Sequence, residues 1–324
     1  MRPPGFWQAG ADDTLLAPLL TPLGAITAGV TARRVARPGW RAPVPVLCCG
    51  NVSLGGAGKT TLALDLARRL VARGVAVHLL SRGYGGRLRG PLCVDPALHD
   101  AAAVGDEPLL LASVAPTWIG ADRAAAARAA VAAGAAALVL DDGLQNPTLA
   151  KDLSLLVIDG DAGFGNGRLL PAGPLREPVA AGATRCAAAV LIGEDRSGAL
   201  RVLPAALPVL RARLVQGPEA AALRGRPVVA FAGIARPQKF FAGLAQAGVD
   251  PVARFAFPDH HAYRETELRR VLAEAVRRDA AVVTTPKDAV RLPPNLRDAV
   301  RVVGVALRWA DAGAVEALLD EWLA

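Results

Sequence analysis

An apolar run that leads straight into a glycine-rich loop limits this chain to few folds. The run is VPVLCCG, residues 44–50, and the loop that continues it is GNVSLGGAGKTT, residues 50–61. A continuous apolar run that ends in glycine is typical of a strand buried on both faces of a parallel sheet. Leucines at positions 62, 66 and 70 then predict a helix over residues 59–73. This order of strand, loop and helix indicates an α/β fold.

Apolar strand patterns and helical patterns alternate through most of the remaining sequence. The alternation predicts a P-loop NTPase-type α/β fold, a doubly wound, mostly parallel sheet with functional loops at the carboxyl ends of its strands. A second set of strands and helices begins near residue 222 and predicts a second, smaller α/β domain. We therefore expect an N-terminal helical segment at 1–40, the P-loop domain at 41–222, and the smaller domain, which contributes to a cleft, at 223–324.

Composition excludes some classes of protein. Of the 324 residues, 52% are hydrophobic and 20% charged, which argues against intrinsic disorder. The formal net charge of +8 suits an anionic partner such as a nucleotide, a phospholipid surface or a nucleic acid. No basic run is interleaved with aromatic residues, so a nucleic acid is disfavoured. The four cysteines show no C-x-x-C spacing and are predicted to be reduced core residues of a protein exposed to the cytosol.

Residues 15–30, LLAPLLTPLGAITAGV, form an uncharged apolar stretch that is followed by arginines at 33, 34, 37 and 41. A spanning helix needs about 20 apolar residues, so this stretch is short for one. Two interpretations remain: a helix packed on the domain, or an interfacial helix held at the cytoplasmic leaflet by apolar burial and by the arginines.

The loop departs from the standard pattern G-x-x-x-x-G-K-[ST], because Ser53 stands in place of its first glycine. Gly55 and Gly56 are expected to supply the sharp turn instead. Lys59 is expected to reach the β- and γ-phosphates, and the Thr60 hydroxyl to bind Mg²⁺. A glycine-rich turn without a ligand is the alternative. The predicted nucleotide-binding residues are Gly55, Gly56, Ala57, Gly58, Lys59, Thr60 and Thr61.

Two further groups of residues follow predicted strands of the same sheet. Asp141 and Asp142 end the strand AAALVL and are expected to hold the metal or its water, although DDG also suits an ordinary turn. In SRGYGG, Arg82 is expected to contact a phosphate and Tyr84 a base or sugar, with a plain glycine turn as the alternative. Arg123 begins a helix, where a phosphate contact and a surface position are equally compatible with the sequence.

The motif VGDEP places Asp106 and Glu107 just before a helix, where a carboxylate can act as a helix cap or as a base for an attacking hydroxyl. The loop FPDHHAY holds two histidines, one of which would orient or relay a proton for Asp106 if the domains close. An exposed loop is the alternative. No third ligand is near in sequence, so these histidines do not predict a metal site.

Taken together, the motifs resemble the tetraacyldisaccharide 4'-kinase family of lipid A biosynthesis, over roughly residues 44–292. The motifs are GNVSLGGAGKTT, LSRGYGG, VGDEPLLLA, DDGLQN, DGDAGFGNGRLLPAGPLREP, FPDHHAY and TTPKDAV. The resemblance implies an ATP- and Mg²⁺-dependent kinase. Such an enzyme phosphorylates the 4'-hydroxyl of a tetraacyl glucosamine disaccharide 1-phosphate at the cytoplasmic face of the bacterial inner membrane.

The resemblance also implies roles for individual residues. Lys59 and Thr60 would bind phosphate and metal, and Asp106 would pair with His260 to activate the hydroxyl. The N-terminal helix would dock on the membrane that holds the glycolipid substrate, and no obligate protein partner and no nucleic acid is implied. Candidate substrate contacts are Glu107, Arg123, Gln145, Asn146, Asn166, Arg176 and His261.

Three positions depart from the usual family motifs. Asn146 replaces a histidine, Thr61 replaces a proline and Pro286 replaces a glutamate, and we expect activity to survive all three. One rival is a P-loop switch-type NTPase, a GTPase or metal-chaperone ATPase. Against a GTPase, Lys287 and Asp288 are adjacent, so the K-x-D spacing for guanine is missing. The other rival is a non-catalytic membrane-associated nucleotide-binding protein. The glycines of GFGNG do not join a strand to a helix, which disfavours a dinucleotide-binding dehydrogenase.

Overall fold

The computed structural model describes residues 4–8 and 15–324, which form thirteen strands and ten α-helices. The strands are β1 Val46–Gly50, β2 Val77–Ser81, β3 Leu92–Cys93, β4 Thr117–Ile119, β5 Ala137–Asp141, β6 Leu153–Asp159, β7 Ala188–Ile192, β8 Val209–Gln216, β9 Val228–Ala232, β10 Ala253–Ala256, β11 Ala281–Thr284, β12 Arg301–Val302 and β13 Val305–Trp309. The α-helices are α1 Leu16–Val35, α2 Lys59–Ala72, α3 Ala101–Val104, α4 Asp106–Ala112, α5 Arg123–Ala132, α6 Val179–Ala183, α7 Pro237–Gln246, α8 Glu265–Arg277, α9 Pro286–Ala289 and α10 Ala312–Leu323.

Nine strands form one large sheet in the order β13-β8-β7-β6-β1-β5-β2-β4-β3. Only the two edge pairs, β13 with β8 and β3 with β4, are antiparallel. The central strand β1 is buried along its whole length, which explains its unbroken apolar sequence. The predicted P-loop NTPase-type fold is therefore confirmed. The cysteine prediction is partly wrong: Cys48 and Cys49 are buried, but Cys93 lies on the edge strand β3 and is exposed.

Helices cover both faces of the large sheet. Leu62, Leu66 and Leu70 of α2 are fully buried against one face, and burial of each such side chain stabilises the fold by about 1.5–3 kcal/mol. The other face meets α5, whose buried alanines, among them Ala126 and Ala130, let the helix approach closely. The leucine spacing in the sequence thus fixes α2, and with it the phosphate-binding loop at its start.

The smaller sheet has the order β10-β9-β11-β12 and is parallel throughout. Helix α7 packs on one face through Phe240, Phe241 and Leu244, and α8 packs on the other through Leu268 and Val271. Its strands direct the loops that follow β9, β10 and β11 toward α4 of the large sheet. The cleft between the sheets is therefore built from both units.

The chain returns to the large sheet after β12, so the expected extent of the smaller domain, 223–324, is wrong at its end. Strand β13 pairs with β8, and α10 packs on α2. Val315 and Leu319 of α10 are fully buried in the core of the large sheet. The carboxylate of Glu316 contacts both Arg69 and Arg73 of α2. Strand β8 is thereby paired on both sides, and β13 forms this edge of the large sheet.

Helix α1 has one side that packs on the protein and one exposed apolar side. One side packs on residues 163–178: the Thr27 hydroxyl donates to the carbonyl of Leu170 at 2.7 Å, and the Thr31 hydroxyl donates to that of Arg176 at 3.0 Å. The other side is apolar and exposed, through Leu16, Leu19, Leu23, Ile26 and Val30.

Among the described residues, no helix is both long enough and apolar enough to cross a membrane. Positions 1–3 and 9–14 of the predicted segment 1–40 lie outside the described residues.

Candidate active site

The loop between β1 and α2 has the backbone of a phosphate-binding loop. Gly55 and Gly58 adopt φ values of 121° and 93°, which strongly favour glycine. A Cβ at Gly58 would also lie 2.6 Å from the Ile192 side chain. Gly56 lacks such a φ, so Gly55 and Gly58 make the turn. The loop continues through Ala57 into α2, whose first residues, Lys59 to Thr61, carry the backbone N–H groups at a helix start.

Ser53 is accommodated because its strand-like segment is paired with another loop. It forms an antiparallel bridge with Leu175, and the N–H of Leu54 donates to the carbonyl of Pro174 at 2.8 Å. The segment 163–178 thus lies between the phosphate-binding loop and α1.

Lys59 and Thr60 place two different groups at this loop. The Nζ atom of Lys59 lies 3.2 Å from Oδ1 of Asn51 and 3.8 Å from a carboxylate oxygen of Asp142. The Thr60 hydroxyl donates to Oδ2 of Asp141 at 2.8 Å. The other oxygen of Asp141, Oδ1, is buried without a hydrogen-bond partner among the described residues. Burial, with the nearby charge of Glu107, raises the pKa of Asp141 to about 7.

Asp142 lies in a different environment from its neighbour. Its φ of 57° turns the chain, and its carboxylate accepts two hydrogen bonds from the Arg176 guanidinium, at 3.0 and 3.1 Å. Burial would raise the pKa of Asp142, but Lys59 and Arg176 outweigh it and hold that pKa below the usual range. The two adjacent aspartates are therefore unlike in charge, since Asp142 is paired and Asp141 is not.

Gln145 holds the Arg176 side chain by a hydrogen bond, and Glu177 in turn holds Gln145. The Gln145 amide donates 2.7 Å hydrogen bonds to the carbonyl of Asn51 and to Glu177, and its oxygen accepts one from Arg176 at 3.2 Å. Glu177 is buried and also pairs with Arg185 at 2.7 Å. Gln145 thus contacts the phosphate-binding loop through other protein groups. Glu177 was not predicted as a site residue, although it lies near the end of the motif DGDAGFGNGRLLPAGPLREP.

Asp106 and His260 meet across the cleft. Asp106 begins α4 and is 4% exposed, and Nδ1 of His260 lies 3.0 Å from its Oδ2. Gly105 has a φ of 90° and no room for a Cβ, which would lie 2.4 Å from the carbonyl oxygen of Tyr84. His260 itself has a φ of 57°. No donor among the described residues has good hydrogen-bond geometry at Oδ2, so this buried oxygen can still accept a proton.

Two cations from the smaller unit lie beside this pair. Nζ of Lys287 and Nε of Arg291 are 3.8 and 3.6 Å from Oδ2 of Asp106. Burial would raise the pKa of Asp106, but His260, Lys287 and Arg291 outweigh it and hold that pKa below the usual range. Contact with Asp106 raises the pKa of His260, against burial and the Lys287 charge. Burial also raises the pKa of Glu107. Sequence reasoning missed both cations, although TTPKDAV pointed to Lys287.

Arg82 and Tyr84 lie in the exposed loop after β2, and the Tyr84 ring is 6.1 Å from the His260 ring, edge to face. Arg123 is buried, which rules out the surface position that the sequence allowed. Its guanidinium contacts the Gly120 carbonyl, and its Nε has no partner among the described residues. Burial lowers the pKa of Arg123 to about 10.

Comparison with known proteins agrees with this geometry. A family model for LpxK, described as tetraacyldisaccharide-1-P 4'-kinase, matches residues 16–324. The chain belongs to this family. The tetraacyldisaccharide 4'-kinase of Gluconacetobacter diazotrophicus is 63% identical over 323 residues, which cover 100% of this chain and 98% of that relative. The one from Rhodospirillum centenum is 58% identical over 324 residues, with 98% and 96% covered.

The LpxK fold has also been seen in a crystal. A structure of the "apo" form of LpxK from Aquifex aeolicus, in complex with ATP, has a TM-score of 0.75 and 25% sequence identity to this chain. The match covers 96% of this chain and 100% of the other. The resemblance read from the motifs is therefore confirmed, and this chain is an LpxK family member.

Three candidate substrate residues of this family member are engaged in the scaffold. Oδ1 of Asn146 accepts from the N–H and hydroxyl of Thr148, at 3.0 and 2.9 Å. The Asn166 amide donates to the carbonyls of Phe6 and Ala172. Nε2 of His261 lies 2.9 Å from Glu267, and its ring stacks on a phenylalanine. The structure thus brings His260, and not His261, to Asp106.

Asp288 of this LpxK family member is fully buried. Its carboxylate accepts hydrogen bonds from the N–H of Gly233, the Tyr263 hydroxyl and Arg291, at 2.8, 2.6 and 2.9 Å. A carboxylate committed in this way cannot read a guanine base. The guanine-specific switch is therefore disfavoured by structure as well as by spacing.

Proposed function

We propose that this chain transfers the γ-phosphoryl group of ATP to the 4'-hydroxyl of a tetraacyldisaccharide 1-phosphate. The observation that carries the proposal is the buried carboxylate of Asp106, which lies 3.0 Å from His260 and keeps an oxygen able to accept a proton. A kinase for an alcohol uses such a base, whereas a nucleotide switch orients a water. The names of the relatives and the ATP in the Aquifex aeolicus structure support the same substrates.

The phosphate-binding loop would hold the β- and γ-phosphates. Phosphoryl transfer asks a protein mainly for positioning and for neutralisation of charge. The loop N–H groups, the start of α2 and the Lys59 ammonium provide both. Arg123 is a buried cation whose pKa responds to the charges of Asp142 and Arg82, so it would add positive charge to the same region. Arg82 and Tyr84 remain candidate contacts for the nucleotide.

Thr60, Asp141 and Asp142 would hold Mg²⁺. The fit rests on Oδ1 of Asp141, a buried oxygen without a hydrogen-bond partner among the described residues, beside the Thr60 hydroxyl. Mg²⁺ commonly takes one or two carboxylates and completes its shell with water and phosphate oxygens. When bound, the ion would neutralise charge on the β- and γ-phosphates.

Asp106 would act as the general base. Its low pKa keeps it ionised at neutral pH, and it would take the proton of the 4'-hydroxyl as that oxygen bonds to the γ-phosphorus. The bond between the γ-phosphorus and the bridging oxygen breaks, and ADP leaves. His260 would orient the carboxylate through its Nδ1 contact. Oε1 of Glu107 lies 3.8 Å from Nζ of Lys287, and the Lys59 charge also acts against burial to lower the pKa of Glu107, so its carboxylate would lie between the phosphates and the base.

We place the enzyme at the cytoplasmic face of the bacterial inner membrane, where its glycolipid substrate would be embedded. The exposed apolar side of α1 would lie in the interface, and Arg33 and Arg34 in its last turn would meet anionic headgroups. Because Thr27 and Thr31 bond α1 to residues 163–178, the docked helix would hold the phosphate-binding loop close to the membrane.

The test is transfer of label from γ-labelled ATP to the tetraacyldisaccharide 1-phosphate, with Mg²⁺ in detergent. Asp106→Asn should lower kcat by about 10²–10⁴-fold, the usual worth of a general base, with little change in ATP affinity. Asp100→Asn is the matched control, since Asp100 caps the neighbouring helix α3 and asparagine also caps helices. No label with ATP still bound would favour a non-catalytic nucleotide-binding protein. Similar losses in both variants would remove the base assignment.

A further inference from the structure

Lys287 is a cation of the cleft to which the motifs gave no role. It lies on α9 of the smaller unit, and its Nζ is 3.4 Å from Nε2 of His260. The same atom is 3.8 Å from Oδ2 of Asp106, 3.8 Å from Oε1 of Glu107 and 3.7 Å from Oδ1 of Asp259. One ammonium therefore faces three carboxylates and an imidazole. All four distances exceed that of a good hydrogen bond, so its effect is mainly through charge.

The short helix α9 holds Lys287 in this place. Its N-cap, Thr285, accepts from the N–H of Asp288 at 3.1 Å, and Pro286 fixes the first helical position. The buried carboxylate of Asp288 is bonded in turn to Gly233, after β9, and to Tyr263, after β10. The residue before Asp288 is thereby turned outward, toward α4 of the large sheet.

Arg291 differs from Lys287 in how its charge is used. Its guanidinium donates to the carbonyls of Lys287, His261 and Gly233, at 3.0, 3.1 and 3.0 Å. It also pairs with Asp288 at 2.9 Å. Arg291 therefore braces the loops of the smaller unit as well as adding charge 3.6 Å from Asp106, whereas Lys287 lies beside both members of the pair, Asp106 and His260.

We infer that Lys287 is a positioning residue for the phosphoryl transfer, whose ammonium sets the charge of the Asp106–His260 pair from the opposite unit. The inference rests on the proposed role of Asp106 as base. The charge is supplied across the cleft, because Asp106 and Glu107 belong to α4 of the large-sheet unit and Lys287 to α9 of the smaller one.

The sign of the effect follows from electrostatics. A positive charge favours the deprotonated form of every neighbour, so removing it raises the pKa of Asp106 and of His260 alike. In the wild-type protein Lys287 acts to lower the pKa of Asp106 and that of His260, which agrees with this expectation. The other charged groups around the pair are of both signs, and the same residues are present in the wild type and in each Lys287 variant. They are Glu107 on α4, Asp259 in the loop after β10, and Arg291 after α9.

The test is the pKa of His260, measured by NMR of labelled imidazoles, together with the dependence of kcat on pH. Lys287→Met removes the charge and keeps most of the side chain, and Lys287→Arg restores the charge. In Lys287→Met we expect the His260 pKa to rise by about one unit and the kcat profile to move to higher pH, with about tenfold loss on its acid side. Lys287→Arg should keep both values near those of the wild type, and the ATP Kd should stay within about twofold in each.

Lys239→Met is the matched control, because Lys239 also joins the two units, through Asp159 and Asp161 at 2.9 and 2.7 Å. It should leave the His260 pKa unchanged, and His261, paired with Glu267, serves as an internal reference. An unmoved or lowered His260 pKa in Lys287→Met overturns the inference, as does an equal shift in Lys239→Met. If Lys287→Met and a second uncharged variant, Lys287→Gln, do not fold while Lys287→Arg does, the lysine charge serves the fold, which also overturns the inference.

The outcome can be separated from the proposed function. Label transfer by the wild type, its loss in Asp106→Asn and an unmoved His260 pKa in Lys287→Met would remove the inference alone. Retained transfer in Asp106→Asn would rule out Asp106 as the general base. A raised His260 pKa in Lys287→Met would then show that Lys287 lowers the pKa of a pair that does not act as the base.

Discussion

Nδ1 of His260 lies 3.0 Å from Oδ2 of Asp106, although the two residues belong to different units of the fold. Asp106 is fixed at the start of α4 by the tight backbone of Gly105, and His260 is carried by the loop after β10. A pair built from two units exists only while those units are close together. The chemistry of this site is thereby coupled to the relative position of the sheets.

A double-mutant cycle tests whether the pair acts as one unit. We expect Asp106→Asn to lower kcat by about 10²–10⁴-fold and His260→Gln to lower it less, because the imidazole orients the base and does not replace it. The double variant should be about as active as Asp106→Asn alone, since residues acting together are not additive. Steady-state kcat with saturating ATP is the measurement. Losses that multiply would show two independent roles.

Local signals made much of the fold predictable. The strand β1, its loop and α2 were readable because burial on both faces, glycine turns and leucine spacing each act over a few residues. The return of β13 and α10 was missed because strand pairing between positions 209–216 and 305–309 leaves no local trace. The domain boundary was wrong at its end for that reason.

The site was predictable where motif residues share one sheet edge. Asp141, Asp142 and Lys59 follow neighbouring parallel strands, so topology brings them together. Burial of single polar side chains was not readable. Arg123 could not be placed inside or outside, and nothing in the sequence showed that the Asn166 amide is occupied by backbone carbonyls.

Asp141 should make the ligand-free protein less stable as the pH rises. Its pKa is about 7 when folded against an ordinary 3.8, so the folded state holds its proton more tightly and unfolding releases it. The contribution of protonated Asp141 to the free energy of unfolding is fully present below about pH 4. It decreases as the pH rises from about 4 to about 7 and is lost above that. Asp141→Asn mimics the protonated form and should remove that slope, which makes it more stable than the wild type at pH 8 by an amount of order a few kcal/mol.

Urea unfolding without Mg²⁺ at pH 5 and pH 8 measures this difference. Addition of ATP with Mg²⁺ should stabilise the wild type more than Asp141→Asn, because the variant lacks a charged ligand for the ion. If the free energy of unfolding changed with pH equally in the two proteins, burial would not raise the pKa of the Asp141 carboxyl.

Leu319 should contribute to the stability of the phosphate-binding unit, even though it lies at the end of the chain. It is fully buried against the core beneath α2, so Leu319→Ala should cost about 2–5 kcal/mol in the free energy of unfolding. Val276→Ala is the control, because Val276 on α8 is 82% exposed and should change stability by less than about 0.5 kcal/mol. A loss confined to the smaller unit, with nucleotide binding equally stable to urea, would contradict the observed packing.

The exposed side of α1 should determine membrane binding without affecting folding. Leu19, Leu23 and Ile26 are 73%, 47% and 64% exposed, so the triple change to Gln removes apolar area that no protein group covers. Full burial of one such side chain is worth about 1.5–3 kcal/mol, so even shallow insertion of the three should contribute about 3 kcal/mol in total. Binding of the triple variant to anionic vesicles should therefore fall by about 100-fold, while the melting temperature stays the same. Sedimentation with vesicles measures the binding, and the same change at Leu98, Val202 and Val276, exposed elsewhere, is the matched control. Equal binding by both triple variants would show that α1 is not the docking surface and that the basic charge of the chain holds it at the membrane by itself.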